Sequence, residues 1–169
     1  KPVLDPQFQP MSLVARDFVA AAEKAGAQDV SVSIVRNKGY ISTYKTRIFR
    51  ENTGRDEENY KFVERIAKTM LWIRGGWKIV IGGSEKIAGR LKAAYRKGGA
   101  REFDADFMSR VYERPFEVES VSFADAPETY ETTEPVGRHL DGCRIGFDAG
   151  GSDRKVSAVI DGEAVYSEE

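Results

Sequence analysis

Cysteine and histidine are nearly missing from this chain: among 169 residues there is one of each, Cys143 and His139. A single cysteine excludes an intrachain disulfide and a thiolate metal cluster, and favours a cytoplasmic setting. A single histidine, with no second histidine or cysteine to partner it, gives no footing for a Ser-His-Asp or Cys-His site and reads as structural or solvated. Long apolar runs are also absent. None approaches the ~20 residues that a membrane helix needs, and the first residues lack a basic-then-apolar leader, so no membrane partner is expected. Charge of one sign is missing too. The net charge is -1, no helix-turn-helix precedes the first strand, and no nucleic-acid partner is expected.

What is present is an ordinary globular balance, 41% hydrophobic and 31% charged, enough for a core without disulfides. Charge is uneven locally. Arg36, Lys38, Lys45, Arg47 and Arg50 fall in one acid-free stretch, whereas residues 102–134 are rich in Asp and Glu. The plain reading of both is solvated faces.

Pro2, Pro6 and Pro10 mark an irregular N-terminal arm, after which Ser12 is placed to cap a helix running to about Lys24. Val30, Val32 and Ile34 alternate with Ser31 and Ser33, the period of a strand. "RNKG" is turn chemistry, and "YISTYKTRIF" resumes strand composition, so an antiparallel hairpin is expected. From Tyr60 to Leu71 the apolar period becomes helical, ended by Gly75-Gly76. "WKIVIGG" reads as a short buried strand and Ser84 as the cap of a helix carrying Ile87, Ala88, Leu91, Ala94 and Tyr95. A shorter helix around Asp104 to Tyr112 and a strand "FEVESV" come next. Trp72 and Trp77 are expected to pack the helix end on the sheet. Strands joined through helices imply parallel crossovers, so the fold class is α/β, a mixed sheet with an antiparallel hairpin and helical crossovers. The organisation expected is an N-terminal α/β domain over 1–123, an aperiodic linker over 124–142, and a second unit over 143–169.

Two Gly-Gly-Ser segments lead into different periodicities. After Ser84 the apolar spacing is helical, so Gly82-Gly83 turns a strand into a helix, either for structural reasons or with an anion at the helix N-terminus. After Ser152, Val156, Ala158 and Ile160 alternate, so Gly150-Gly151 turns a strand back into a strand. Its glycines let backbone approach a phosphate. Asp148, at the end of the incoming strand, is placed to hold a hydrated Mg²⁺ beside that phosphate. Lys155 adds positive charge or is simply solvated. An ordinary β-hairpin with a glycine-rich loop explains the same spacing.

The stretch "IGFDAGGSDRKVSAVIDGEAVYSEE" resembles the first phosphate motif of the actin-like (ribonuclease H-like) ATPase superfamily, closest to sugar kinases of the ROK family. Asp148, Gly150, Gly151, Ser152 and the Asp161-Gly162 turn match Asp-x-Gly-Gly-Thr, strand, Asp-Gly; Ser stands for the commoner Thr, and "SDRK" lengthens the loop by about two residues. The resemblance covers 143–169. It implies a hairpin cradling ATP phosphates with Gly150, Gly151, Ser152 and Lys155, a metal oriented by Asp148, and ATP, Mg and a sugar as ligands of a larger parent protein. A separate catalytic Asp and an adenosine-binding glycine pair would lie beyond Glu169, so the fragment is expected to hold no cofactor and to be inactive alone. "IVIGGS" before a helix is also similar to the adenosine-side lobe of such proteins. The other expectation is a non-enzymatic assembly domain whose final hairpin packs on its own sheet or on a partner chain, giving a homodimer through strand pairing.

Overall fold

Pro10 sets the first boundary. Its carbonyl accepts from Leu13 N–H at 2.9 Å and Val14 N–H at 3.1 Å, so helix α1, Met11–Ala25, starts directly after it. Ser12 therefore lies inside the first turn and not at the cap, a correction to the expectation. The computed structural model describes residues 3–5, 8–133, 137 and 139–169. Pro2 and Pro6 of the expected arm, and residues 134–136 and 138 of the expected linker, lie outside the described residues. The chain divides into two units, Lys1–Thr132 and Thr133–Glu169.

In the first unit, β1 (Ala27–Val35) and β2 (Ile41–Phe49) form the hairpin. Lys38 and Gly39 adopt left-handed φ of 60° and 73° at the turn. Helix α2, Asp56–Arg74, places Asp56, Glu57 and Glu58 in its first turn, where carboxylates meet the positive end of the helix dipole. It leads to β3 (Lys78–Gly82), α3 (Glu85–Tyr95), α4 (Glu102–Tyr112) and β4 (Glu117–Val121). The strand order is β2-β1-β3-β4. β1 is antiparallel to both neighbours, while β3 and β4, joined through α3 and α4, are parallel.

Alternation in β1 decides which face is apolar. Val30, Val32 and Ile34 are fully buried and meet Ile79 and Ile81 of β3, Phe62, Val63, Ala67 and Leu71 of α2, and Leu91 of α3 in one core. Each Val, Leu, Ile and Phe side chain there contributes roughly 1.5–3 kcal/mol by leaving water. At the α2–α4 junction the buried Asp104 carboxylate accepts from Trp72 Nε1 at 2.8 Å, and Arg101 bridges it to Glu64.

The opposite face carries Ser31, Ser33, Thr43 and Gly82 at register positions on β1, β2 and β3. Residues 122–132 run across these small side chains as a strap. Ala126 is buried, and a Cβ on Gly82 would lie 2.8 Å from the Ala126 Cβ and 2.4 Å from Ser31 Oγ. Thr43 donates its hydroxyl to the Pro127 carbonyl at 2.7 Å. Tyr130 and Ile41 exchange two backbone hydrogen bonds of 2.9 Å at the outer edge of β2. Residues 124–132, expected as linker, thus belong with the first unit. Aperiodic sequence is what a segment crossing strands at an angle requires, since it presents no single repeating face. The acid-rich strap also answers the acid-free stretch: Lys45 pairs with Glu128 at 2.6 Å and Arg36 with Glu131, while Arg47 pairs with Glu23 and Asp29.

The second unit is a three-stranded antiparallel sheet of β5 (Cys143–Ala149), β6 (Arg154–Ile160) and β7 (Glu163–Glu168), in the order β5-β6-β7. β7 extends the expected hairpin. Asp161 and Gly162 take φ of 50° and 86°, the positive pair of a two-residue type I′ turn, for which Asp-Gly is a favoured sequence. No described residue of this unit is buried; only the central strand, from Val156 to Val159, is half-buried, with Asp153 beside it. The molecule is thus mixed α/β, with four helices, a four-stranded mixed sheet and a three-stranded antiparallel sheet among the described residues.

Candidate phosphate-binding site

The two Gly-Gly-Ser turns end differently in three dimensions. At the first, each glycine has a structural cause. Gly82 has no room for a Cβ under the strap, and Gly83 has φ of +90° with the Asp29 carbonyl 2.6 Å from where a Cβ would sit. Ser84 caps α3 by accepting from Ile87 N–H at 3.1 Å, and its own hydroxyl donates to the Glu51 carboxylate. Glu51 is held by Gln28, whose side-chain oxygen accepts from Glu51 N–H at 2.8 Å and whose amide donates to Gly83 O at 3.2 Å. The positive end of α3 is therefore fronted by a carboxylate of the chain itself.

At the second turn the register sets the geometry. Asp148 on β5 pairs with Lys155 on β6, and Ala149 with Arg154, leaving residues 150–153 as the loop. Asp148 and Lys155 thus share a face with Gly146 and Ser157. Lys155 Nζ lies 3.4 Å from Asp153 Oδ2 and 3.4 Å from the Glu169 carboxylate, so the lysine is held near the loop between two acids. A Cβ on Gly150 would fall 2.6 Å from Asp153 Oδ1 and 3.0 Å from its carbonyl oxygen, so a side chain there would have to displace the Asp153 carboxylate. Gly151 differs. Its φ is outside the left-handed region and nothing lies within 4 Å of a built Cβ, so the fold itself has room for alanine. None of the N–H groups of Gly150, Gly151 and Ser152 is taken up by an acceptor among the described residues.

Of the five residues expected in the site, Ser152 and Lys155 line a shallow concavity of about 470 Å³ together with Phe147, Arg154 and Glu168. Asp148, Gly150 and Gly151 are outside that lining. Arg154, which the sequence pattern does not single out, brings a second cation to the loop; its place in the pair Ala149↔Arg154 is implied once Asp148 and Lys155 stand opposite each other. No three His, Cys, Asp or Glu side chains cluster as a metal set among the described residues. The single exposed carboxylate of Asp148, at the end of the incoming strand, is compatible with Mg²⁺, which is commonly held by one or two carboxylates with phosphate oxygens and water.

Elsewhere, the Tyr95 hydroxyl is buried without a hydrogen-bond partner among the described residues, and burial, then the nearby Asp104, pushes its ionisation well above the usual phenol range. It stays protonated and offers no general base. His139 lies in an irregular segment of the second unit, and its carbonyl accepts from Arg144 Nε at 3.1 Å. No helix among the described residues is long and apolar enough to cross a membrane. In comparisons with known proteins, no family model, no curated protein and no solved structure matches the chain.

Proposed function

We propose that β5, the 150–153 loop and β6 form the phosphate-binding hairpin of an actin-like, ROK-type ATP-dependent sugar phosphotransferase or of a catalytically lapsed relative. The observation that supports this reading is Gly151, a glycine for which the fold supplies no steric or conformational cause, in a loop with three unclaimed N–H groups. A phosphate oxygen approaching that backbone would meet no Cβ, and the N–H groups would donate to it. Lys155 and Arg154 would add charge-assisted contacts to the same phosphate. Asp148 would carry the metal's protein contact through its carboxylate, with Mg²⁺ when bound supplying charge neutralisation between phosphate groups. Removal of the sugar hydroxyl proton is assigned to no residue of this chain, so residues 1–169 bind phosphate and do not turn over.

The test is an amide NMR titration of the full chain with Mg²⁺ and pyrophosphate, and separately with Mg²⁺ and ATP. Gly150, Gly151, Ser152 and Lys155 should shift, and Gly151→Ala should remove the shifts without altering the fold. Silent amides at millimolar ligand, or steady ATP-dependent sugar phosphorylation by this chain alone, would sink the reading.

A second reading has its own observation. On one face of the β5–β7 sheet Ile145 is 81% exposed, Phe147 68% and Tyr166 49%, an apolar surface suited to a partner chain. On this reading the glycine turns are structural and the unit is an assembly module. Light scattering on an Ile145→Ser/Tyr166→Ser variant, whose sites lie outside the concavity, separates the two: assembly should be lost, while phosphate-induced shifts should persist if the first reading holds.

A further inference from the structure

The first unit carries an aromatic surface that neither reading uses. Trp72 of α2 and Phe103 and Phe107 of α4 form a ladder of nearly parallel rings, with centroids 5.3 Å apart for Trp72–Phe107, 6.1 Å for Phe103–Phe107 and 6.4 Å for Trp72–Phe103. The indole is locked by its hydrogen bond to Asp104. This rigid ladder faces outward: Phe103 is 66% exposed and Trp72 43%, with exposed Val111 continuing it along α4. Contiguous, preordered aromatics in water are the residues that dominate interfaces when covered.

The charge border says what covers them. Phe103, Phe107 and Val111 recur every four residues and form one stripe on α4. Along its solvent edge stand Asp106 and then Arg110, acid nearer the helix N-terminus and base nearer the C-terminus, paired within the helix at 2.6 Å and largely exposed. A surface of one sign would match only half of that border. A second copy of α4 related by a two-fold axis across the stripe matches all of it, because the reversed copy sets each Asp106 against Arg110 of the partner subunit and opposes the helix dipoles. We propose that the chain self-associates as an isologous dimer through antiparallel α4 helices, with Trp72, Phe103 and Phe107 as its apolar centre.

Sedimentation equilibrium of the full chain across a concentration series, with circular dichroism as the check on folding, decides this. Phe103→Glu/Phe107→Glu should weaken the dimer by about 100-fold or more. Asp106→Arg and Arg110→Asp should each weaken it about 10-fold, and the double charge swap should recover wild-type association because it restores complementarity across the axis. The charge variants sit at exposed positions, so they remain informative if the aromatic variant misfolds. A chain that is monomeric throughout, a dimer indifferent to these variants, or a charge swap that fails to rescue overturns the proposal. A dimer abolished by Ile145→Ser/Tyr166→Ser, with these variants without effect, places the interface on the β5–β7 sheet and likewise overturns it.

Discussion

The two sheets share a sequence pattern and differ in nearly everything that gives stability. Val30, Val32 and Ile34 alternate with small polar residues, as Ile145 and Phe147 alternate with Gly146 and Asp148. In the first sheet one face is covered by helices and the other by the strap, and the alternating residues are 0% exposed. In the second, no described residue is buried. Alternation therefore encodes which residues share a face, and says nothing of what lies over that face. Cover comes from other segments of the chain, and among the described residues only the first sheet is buried.

The largest effect expected from this contrast is in paired truncations. Leu71→Ala should cost about 3–4 kcal/mol by emptying the core, whereas Phe147→Ala should cost under about 0.5 kcal/mol, because its side chain is already in water. Urea unfolding followed by tryptophan fluorescence measures the first, since Trp72 and Trp77 both lie in the first unit; amide exchange of residues 143–169 measures the second. Equal costs would break the comparison.

Next in size is the strap. Gly82→Ala should destabilise the first unit by about 1–3 kcal/mol, as a Cβ there meets Ser31 and Ala126, and should expose residues 122–132 to proteolysis. In the second sheet Gly151→Ala should change stability by no more than about 0.5 kcal/mol. A large loss at Gly151 would return that glycine to a structural role and remove the support for the phosphate reading.

The smallest effect is acid sensitivity. The Ser42 hydroxyl, and then the Arg36 guanidinium, hold the Glu131 carboxyl below the ordinary value of 4.5. A folded-state value below the unfolded one stabilises above the unfolded pKa and is lost as pH falls through the lowered value. Glu131→Gln should therefore lower the first unit's stability modestly at neutral pH and flatten its acid limb, the two curves converging below the lowered value. An unchanged acid limb would show that the strap's tip adds nothing to its hold.

Local pattern made the order of elements in the first unit legible, because strand and helix periods change cleanly at Gly26, Gly75-Gly76 and Ser84. It did not reveal the strap, whose residues repeat with no period; the trace it left was the pairing of an acid-free stretch with an acid-rich one about 90 residues on, read in isolation as two solvated faces. It also left β7 unassigned, although Asp161-Gly162 carried the turn. In the candidate site the strand-loop-strand outline came from alternation, while the Asp148–Lys155 pairing is set by the register between β5 and β6. The part that turned out most telling, the difference between a glycine with a steric cause and one without, needs the position of Asp153 and has no sequence signal.

The strap has a consequence in time. Glu131 meets Ser42 across 89 residues, and Tyr130 closes the outer edge of β2. On a ribosome, which releases the chain at roughly 5–20 residues per second, that edge emerges early and waits several seconds for its cover. An unpaired edge is a template for wrong pairing. Lys45 on β2 and Arg36 beside the hairpin turn, salt-bridged to the strap in the finished unit, are bare charges during that interval, and they guard the edge until the strap arrives.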